Sequence, residues 1–550
     1  MPEYLAPGVY VEEISTGPVP IEGVSTSTVG FVGRTVRGPT EPRLVTSWLD
    51  FQRWYGGLVD PDTLLSYLPF AAKGFFDNGG QRAYVARVHR SDAEPSVIEL
   101  PAGNATLVLE ALGPGDLNDR LFAWVGPASR RDPANPSLAD PSRFRLVLLY
   151  YDVVPSTLPL VDPLNPANAA NPERVEPDIV EQFDDLEFDS QGADFVIGAL
   201  RRSTLVTARY DPGDAVPERP EDTGLEGRDH TYVVATGGTE GEAAVAMADF
   251  DGRAPGPTDR GSGLLGLEAV DVISLLCAPD EGHAGIDAGV RDQLRSAVVL
   301  QCEQLKDRFG ILQLPVDAGG SDPGSVNPPV SSQYAALYFP WVRVFDPVVN
   351  DTYLVPPGGH VAGVFARTDI ERGVHKAPAN AVVRGIVTTD LPGNRGPLSV
   401  LVTKRQQDLL NPRGVNVIRD FRADRRDCRV WGARTLSADA QWRYVNVRRL
   451  FIFVEESIEE GTQWVVFEPN DDALWARLRR SIGNFLTSVW RSGALVGTTA
   501  EEAFFVRCDR TTMTQDDIDN GRLICYIGLA PVKPAEFVIF RFSQKTLEAS

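Results

Sequence analysis

The chain has 550 residues, too many for one hydrophobic core, so several domains are expected. Its 43% hydrophobic and 23% charged residues lie near the globular average and exclude global disorder, while a net charge of −22 argues against nucleic acid as a direct partner. The 50 glycines and 42 prolines announce many turns and extended connectors.

In chain order, Gly8-Val9-Tyr10-Val11-Glu12 reads as a short strand from its β-branched and aromatic content. Pro18 and Pro20 behind it favour an extended path. Residues 1–23 are therefore expected to form a linking arm whose strand has no local partner, with Val9, Tyr10 and Val11 available for pairing elsewhere. Residues 24–92 read as the first part of an α/β core. It comprises a strand near 29–33, a short helix through Phe51 and Trp54, a helix from about 64 to 76 stopped at Asn78-Gly79-Gly80, and a strand near 83–88. Residues 93–230 read as an acidic, β-rich surface insertion. Residues 151–230 alone hold 18 carboxylates against 6 arginines and no lysine, a net charge of −12.

Residues 231–530 are expected to continue the core. Predicted elements are a strand near 271–276, a helix over about 286–306 and a strand near 309–314. Further strands are expected near 445–454 and 463–467, and others near 504–508 and 523–529. The best helix runs from about 472 to 490, capped by Asp471 or Asp472, with Leu474, Leu478, Ile482, Phe485 and Val489 on one stripe. Residues 531–550 read as a C-terminal arm carrying the apolar strand Phe537-Val538-Ile539-Phe540.

Catalytic motifs are scarce. Gly261-Ser262-Gly263-Leu264-Leu265-Gly266 matches GxGxxG, but a dinucleotide site needs a strand before it and a helix after it. Here a Pro/Gly segment precedes it and a strand is expected to follow, so it reads as a flexible loop. The five histidines have no metal-ligand spacing, and His283, in Asp280-Glu281-Gly282-His283, reads as part of an exposed loop. The arginines 419, 422, 425, 426 and 429 alternate with Asp420, Asp424 and Asp427, which favours ion pairs over a nucleic-acid patch. Cys277, Cys302, Cys428, Cys508 and Cys525 form no CxxC pair and read as buried free thiols in a reducing compartment. No secretion signal and no bilayer-length apolar run is read, so no direct membrane contact is expected. No catalytic, cofactor-binding or metal-binding residue is assigned.

Several words resemble a known family. They include Tyr4–Glu13, Gly74-Phe75-Phe76-Asp77-Asn78-Gly79-Gly80, Gly359-His360-Val361-Ala362-Gly363 and Gly373-Val374-His375-Lys376-Ala377-Pro378. Asn411–Asn416, Trp431–Thr435, Tyr444–Arg449 and Phe504–Asp509 belong with them. Over residues 1–90 and 265–545 the chain resembles contractile tail sheath proteins of phage tails, tailocins and extracellular contractile injection systems. The resemblance implies a mixed α/β, multi-domain subunit with an α/β core, a β-rich insertion and extended N- and C-terminal strand arms. It implies a helical homopolymer of stacked rings around an inner tube protein, with baseplate and tail-terminator or cap proteins as further partners. Arms would exchange strands between subunits through Val9, Tyr10, Val11, Phe537, Val538, Ile539 and Phe540, and Arg477 and Arg480 could face the tube. Assembly in the bacterial cytoplasm, release by lysis and no cofactor are expected. The alternatives are a static shell or surface-layer protein, or an α/β enzyme using Gly261–Gly266.

Overall fold

The computed structural model describes residues 20–541 except 213–217, 227–228, 258, 389–395 and 425. Val9, Tyr10 and Val11 thus lie outside the described residues. The described chain mixes helices and strands in two units. The larger holds Thr26–Glu371 and Pro378–Val445; the smaller holds 20–25, Arg372–Ala377 and 446–541. The boundary at Val445 divides the stretch 231–530 between the two units.

Six strands of the larger unit run parallel: β1 (Thr28–Arg34), β2 (Arg82–Val88), β3 (Leu275–Cys277), β4 (Phe309–Gln313), β5 (Ala335–Phe339) and β6 (Val415–Asp420). Their spatial order is β6-β5-β4-β3-β1-β2. Short antiparallel strands extend both sides, Arg43–Val45 on β2, and Cys428–Val430 on β6 with Ala381–Val382 outside it. Every residue of β1, β4 and β5 is buried, as parallel strands covered on both faces require.

Helices α1 (Leu68–Asp77), α2 (Ala288–Leu305) and α3 (Gly358–Arg372) belong to the same unit. The helix expected from residue 64 begins instead at Leu68. Leu65, at φ 55°, ends the single turn Pro61–Leu64, and Pro69 is suited only to a first turn. Two sequence words meet where α1 crosses α3. A Cβ on Gly359 would lie 2.3 Å from the Ala71 carbonyl oxygen, and one on Gly363 would lie 2.4 Å from that of Phe75. Asn78 then ties the turn after α1 to Arg384, donating to its carbonyl at 3.1 Å and accepting from its amide at 2.8 Å.

Between β2 and β3 the chain builds two antiparallel sheets. One contains Val97–Ala102, Ala105–Ala111 and Val206–Asp211; the other contains Val233–Val234, Leu121–Pro127, Arg143–Tyr150 and Ile179–Glu187. Leu107, Leu109, Val125, Leu146 and Leu148 share one core. Bridges from Glu94 to Thr239 and from Val97 to Thr236 carry this module past residue 230, the expected end of the insertion. Its edge strand Ile179–Glu187 is bent by a bulge opposite Phe144–Leu146, where Asp185 takes φ 57°. Asp184 and Asp185 accept there from the amides of Ser129 and Arg130, and a bulged, charged edge is a poor template for further strands.

The smaller unit packs α4 (Val445–Gly461) and α5 (Asp472–Arg491) with the two-stranded sheet β7 (Phe504–Arg507) and β8 (Tyr526–Leu529). Leu450 and Val454 share a core with the predicted stripe Leu474, Leu478, Ile482, Phe485 and Val489. Asp471 caps α5, its Oδ1 accepting from the Leu474 amide at 2.8 Å. The strand expected near 445–454 is helix α4. Its β-branched and aromatic run carries strand propensity, but burial of Leu450 and Val454, four residues apart, selects the helical period. The strand expected near 463–467 is one 3-10 turn, Gln463–Val465, followed by a fully exposed Phe467 at φ 66°.

Candidate assembly interface

In an open parallel sheet, ligands bind beyond the carboxyl ends of the strands where strand order reverses. Here that point lies between β1 and β3, and the chain's own polar groups fill it. Asp280 accepts from Ser66 Oγ at 2.7 Å and from the Tyr67 amide at 2.8 Å. Glu281 accepts from the Gln313 amide at 2.7 Å and meets Arg295 Nε at 3.1 Å. His283, expected in an exposed loop, is fully buried. Its Nε2 lies 3.0 Å from the Pro61 carbonyl, and its Nδ1 accepts from the Gly285 amide at 3.0 Å. Arg34 donates to the Leu64 carbonyl at 2.7 Å and pairs with Glu240 at 3.0 Å. Burial raises the carboxyl groups of Asp280 and Glu281 above the usual range, Glu281 to about 7, with Arg295 opposing that rise.

The Gly261–Gly266 segment is not the loop the sequence suggested. It opens the six-residue helix Gly263–Glu268, and Cβ atoms on Gly261 and Gly263 would collide with backbone, 2.1 Å from the Arg253 carbonyl oxygen and 2.5 Å from that of Phe250. These glycines serve close chain packing.

Both terminal segments are rooted in the smaller unit. Ile21 is buried in its core, a Cβ on Gly461 would lie 2.8 Å from it, and the Val24 amide donates to Ser457 Oγ at 3.1 Å. At the other end, the Ala530 amide donates to the Ala503 carbonyl at 2.9 Å and the Val532 amide to that of Ala494 at 3.1 Å. Asn446, 2% exposed, holds this root, its Nδ2 donating to the carbonyls of His375 at 2.8 Å and Val532 at 3.2 Å. Sequence reading missed these anchors because Val24 and Ser457 stand 433 residues apart.

Beyond Val532 the described chain enters no strand. Phe537, Val538, Ile539 and Phe540 are 70, 69, 77 and 76% exposed, so the structure places four large apolar side chains in succession at the surface. Next to this root, β7 and β8 pair only with each other among the described strands. Each therefore presents an outer edge. Val506 and Ile527 pack toward the core while Phe505 and Tyr526 remain about half exposed.

On α5, Arg477 is half exposed, pairs with Glu468 at 2.8 Å and lies over the Trp464 ring at 5.2 Å. Arg480 is exposed. In the 419–429 run, Arg422 binds Asp420 through two contacts of 2.8 Å. Arg429 instead donates to the Asn380 carbonyl at 2.8 Å, and Arg419 lies over Phe421 at 4.9 Å. Of the arginines described in this run, Arg422 thus forms an ion pair, whereas Arg429 is held by a carbonyl and Arg419 by a ring.

Known proteins agree with this architecture. A family model for the phage tail sheath protein central domain matches residues 266–436, and one for the phage tail sheath C-terminal domain matches residues 437–545. A putative prophage major tail sheath protein of Pseudomonas aeruginosa (strain UCBPP-PA14) is 29% identical over 202 residues, 37% of this chain and 49% of that protein. The tail sheath protein of Burkholderia phage BcepMu is 30% identical over 192 residues, 33% of this chain and 38% of that protein. The matched region thus spans half or less of these curated relatives. The helical sheath of the anti-feeding prophage (AFP), solved in its contracted state, superposes with a TM-score of 0.55 at 25% identity, covering 99% of this chain and 100% of that one. With the two matched domains adjoining end to end, and a fold shared with that sheath along nearly its whole length, this chain belongs to the contractile tail sheath family.

Proposed function

We propose that the chain is the structural subunit of a contractile sheath, polymerising as stacked rings around an inner tube and contracting to drive that tube through a target envelope. The observation that carries this reading is the smaller unit. It roots both terminal segments, presents a two-stranded sheet with outer edges, and sends out four successive exposed apolar residues after Val532. A strand added to such an edge gains main-chain hydrogen bonds from the partner, with specificity from alternate side chains. Phe537, Val538, Ile539 and Phe540 supply one such strand, and Val9, Tyr10 and Val11 supply the other. Neighbouring copies would remain linked in this way while their bodies reorient.

The likeness to a contracted AFP sheath supports contraction as the motion, and a likeness to the AFP baseplate supports baseplate association. The inner tube and a terminator or cap protein complete the partner set. Assembly takes place in the bacterial cytoplasm, with release by lysis. The work comes from repacking a metastable lattice, so no catalytic step belongs to this chain, and the filled crevice between β1 and β3 is a packing element.

Deleting residues 1–20, or 533–550, tests the reading. Each truncated chain is expected to fold cooperatively yet fail to give contractile cylinders under the electron microscope. Normal contraction by both would overturn it. Flat sheets or closed shells from the intact protein would favour the static alternative, and monodisperse small oligomers an enzyme.

A further inference from the structure

The ladder of β7 and β8 pairs Arg507 with Tyr526, so Cys508 and Cys525 stand opposite one another one step further on. Cys508 is fully buried and Cys525 half-buried, and both are free thiols. The chain between them is already held. Thr512 Oγ1 donates to the Ile524 carbonyl at 2.9 Å and itself accepts from the Asp509 amide at 3.1 Å. Opposed positions in an antiparallel pair place Cα atoms about 4.5–5.5 Å apart, within the range a disulfide spans.

We propose that Cys508 and Cys525 are a thiol–disulfide site, formed reduced and closed by a small disulfide oxidant to staple β7 to β8. The electrostatics suit it. The neighbouring Cys525 thiol favours the Cys508 thiolate, the Arg479 guanidinium assists, and ionisation of Cys525 itself is pushed up. The other three cysteines differ. Burial raises Cys277, and raises Cys302 and Cys428 to about 12, and none of them has a thiol neighbour among the described residues.

With glutathione disulfide as oxidant, one protein thiolate attacks a glutathione sulfur, forming a mixed disulfide and releasing one glutathione. The second protein thiol, as its thiolate, attacks the protein sulfur of that mixed disulfide and releases the other glutathione. Two S–H bonds are lost, one S–S bond forms, and two electrons and two protons end on two glutathione molecules. The half-buried Cys525 is the sulfur a small oxidant reaches, and it attacks as its proton passes to the Cys508 thiolate beside it. This inference stands on the hairpin alone and does not depend on the sheath reading.

The test uses the full chain, incubated with glutathione disulfide, alkylated and digested without reduction. A peptide linking Cys508 to Cys525, with both thiols lost to alkylation together, is expected. The oxidised chain should also unfold roughly 2–3 °C higher, reversibly with dithiothreitol, because the bond closes a loop of about 17 residues. Cys508→Ser and Cys525→Ser should each abolish link and shift, leaving the remaining cysteine alkylatable or glutathionylated. If a variant fails to fold, the wild-type peptide map decides. Independent alkylation of the two thiols after oxidation, a link to another cysteine, or a link without a rise in unfolding temperature would overturn the proposal.

Discussion

His360 and Glu281 are both sealed inside the larger unit, and burial moves them in opposite directions. Burial lowers the His360 imidazole to about 4, with Asp77 opposing and Lys73 assisting, whereas Glu281 rises to about 7 beside Arg295. For the histidine, stability is present above its unfolded value near 6.5 and lost as pH falls through about 4. For the carboxyl, stability is present below its unfolded value near 4.5 and lost as pH rises through about 7, and Asp280 shifts the same way. The histidine and Glu281 contributions are each about 3 kcal/mol and oppose one another between those limits. Measured by denaturant unfolding across that interval, the stability of His360→Asn should fall more steeply with rising pH than that of the native chain, and that of Glu281→Gln less steeply; identical profiles in all three would refute these assignments. None of this was legible from Asp280-Glu281-Gly282-His283. Glycine and two carboxylates in succession look solvated until Ser66, more than 200 residues away, and Arg295 are brought against them.

Secondary elements record a contest between local propensity and burial. Helix α5 was legible because its cap and stripe agree, Asp471 at the N-terminus and Leu474 through Val489 on one face. Helix α4 was not, because Val445–Val454 carries the residues of a strand and only packing against α5 selects the helix. Where helices cross, glycine is read through its neighbours. Alanine at Gly359 or Gly363 should cost about 1–3 kcal/mol in chemical denaturation, since each Cβ meets backbone of α1 that cannot retreat. Alanine at Gly483, inside α5 with nothing within 4 Å of its Cβ, should instead stabilise by about 0.5–1 kcal/mol. Equal effects at all three would show that crowding at the α1–α3 crossing does not decide the outcome. On the exposed face of α5, charge reversal at Arg477 and Arg480 should leave the fold intact, because exposed pairs such as Arg477–Glu468 are worth roughly 0.2–1 kcal/mol. The reversed chain is expected to give sheaths that contract early or assemble without a tube, consistent with the proposed tube contact. Stable, tube-filled extended particles would exclude both arginines from that role.

For the whole molecule, the decisive arrangement is that both terminal segments are rooted in one unit, while the antiparallel module at 94–239 is inserted in the other, in the connection between β2 and β3. In the assembly proposed, that module lies on the outside and contributes little to the lattice. Its net charge of −12 over 151–230 and its bulged, charged edge strand both oppose further association. Limited proteolysis of intact particles should cut first within 94–239, mapped by mass spectrometry. Maximal protection of these residues would place them at the subunit contacts and refute the outward reading.

The α/β class, the capped amphipathic helix, the apolar C-terminal run and the family words were legible in the chain alone, because each rests on short-range chemistry: periodicity, caps, turn residues and local composition. Tertiary structure alone decided that α4 is a helix, that His283 is buried, that Gly261–Gly266 packs against backbone, and that Asn446 holds the root of the C-terminal arm. Each of those outcomes depends on partners distant in the chain, some by hundreds of residues. Burial and hydrogen bonding across that distance outweigh the few tenths of a kcal/mol per residue that separate local propensities.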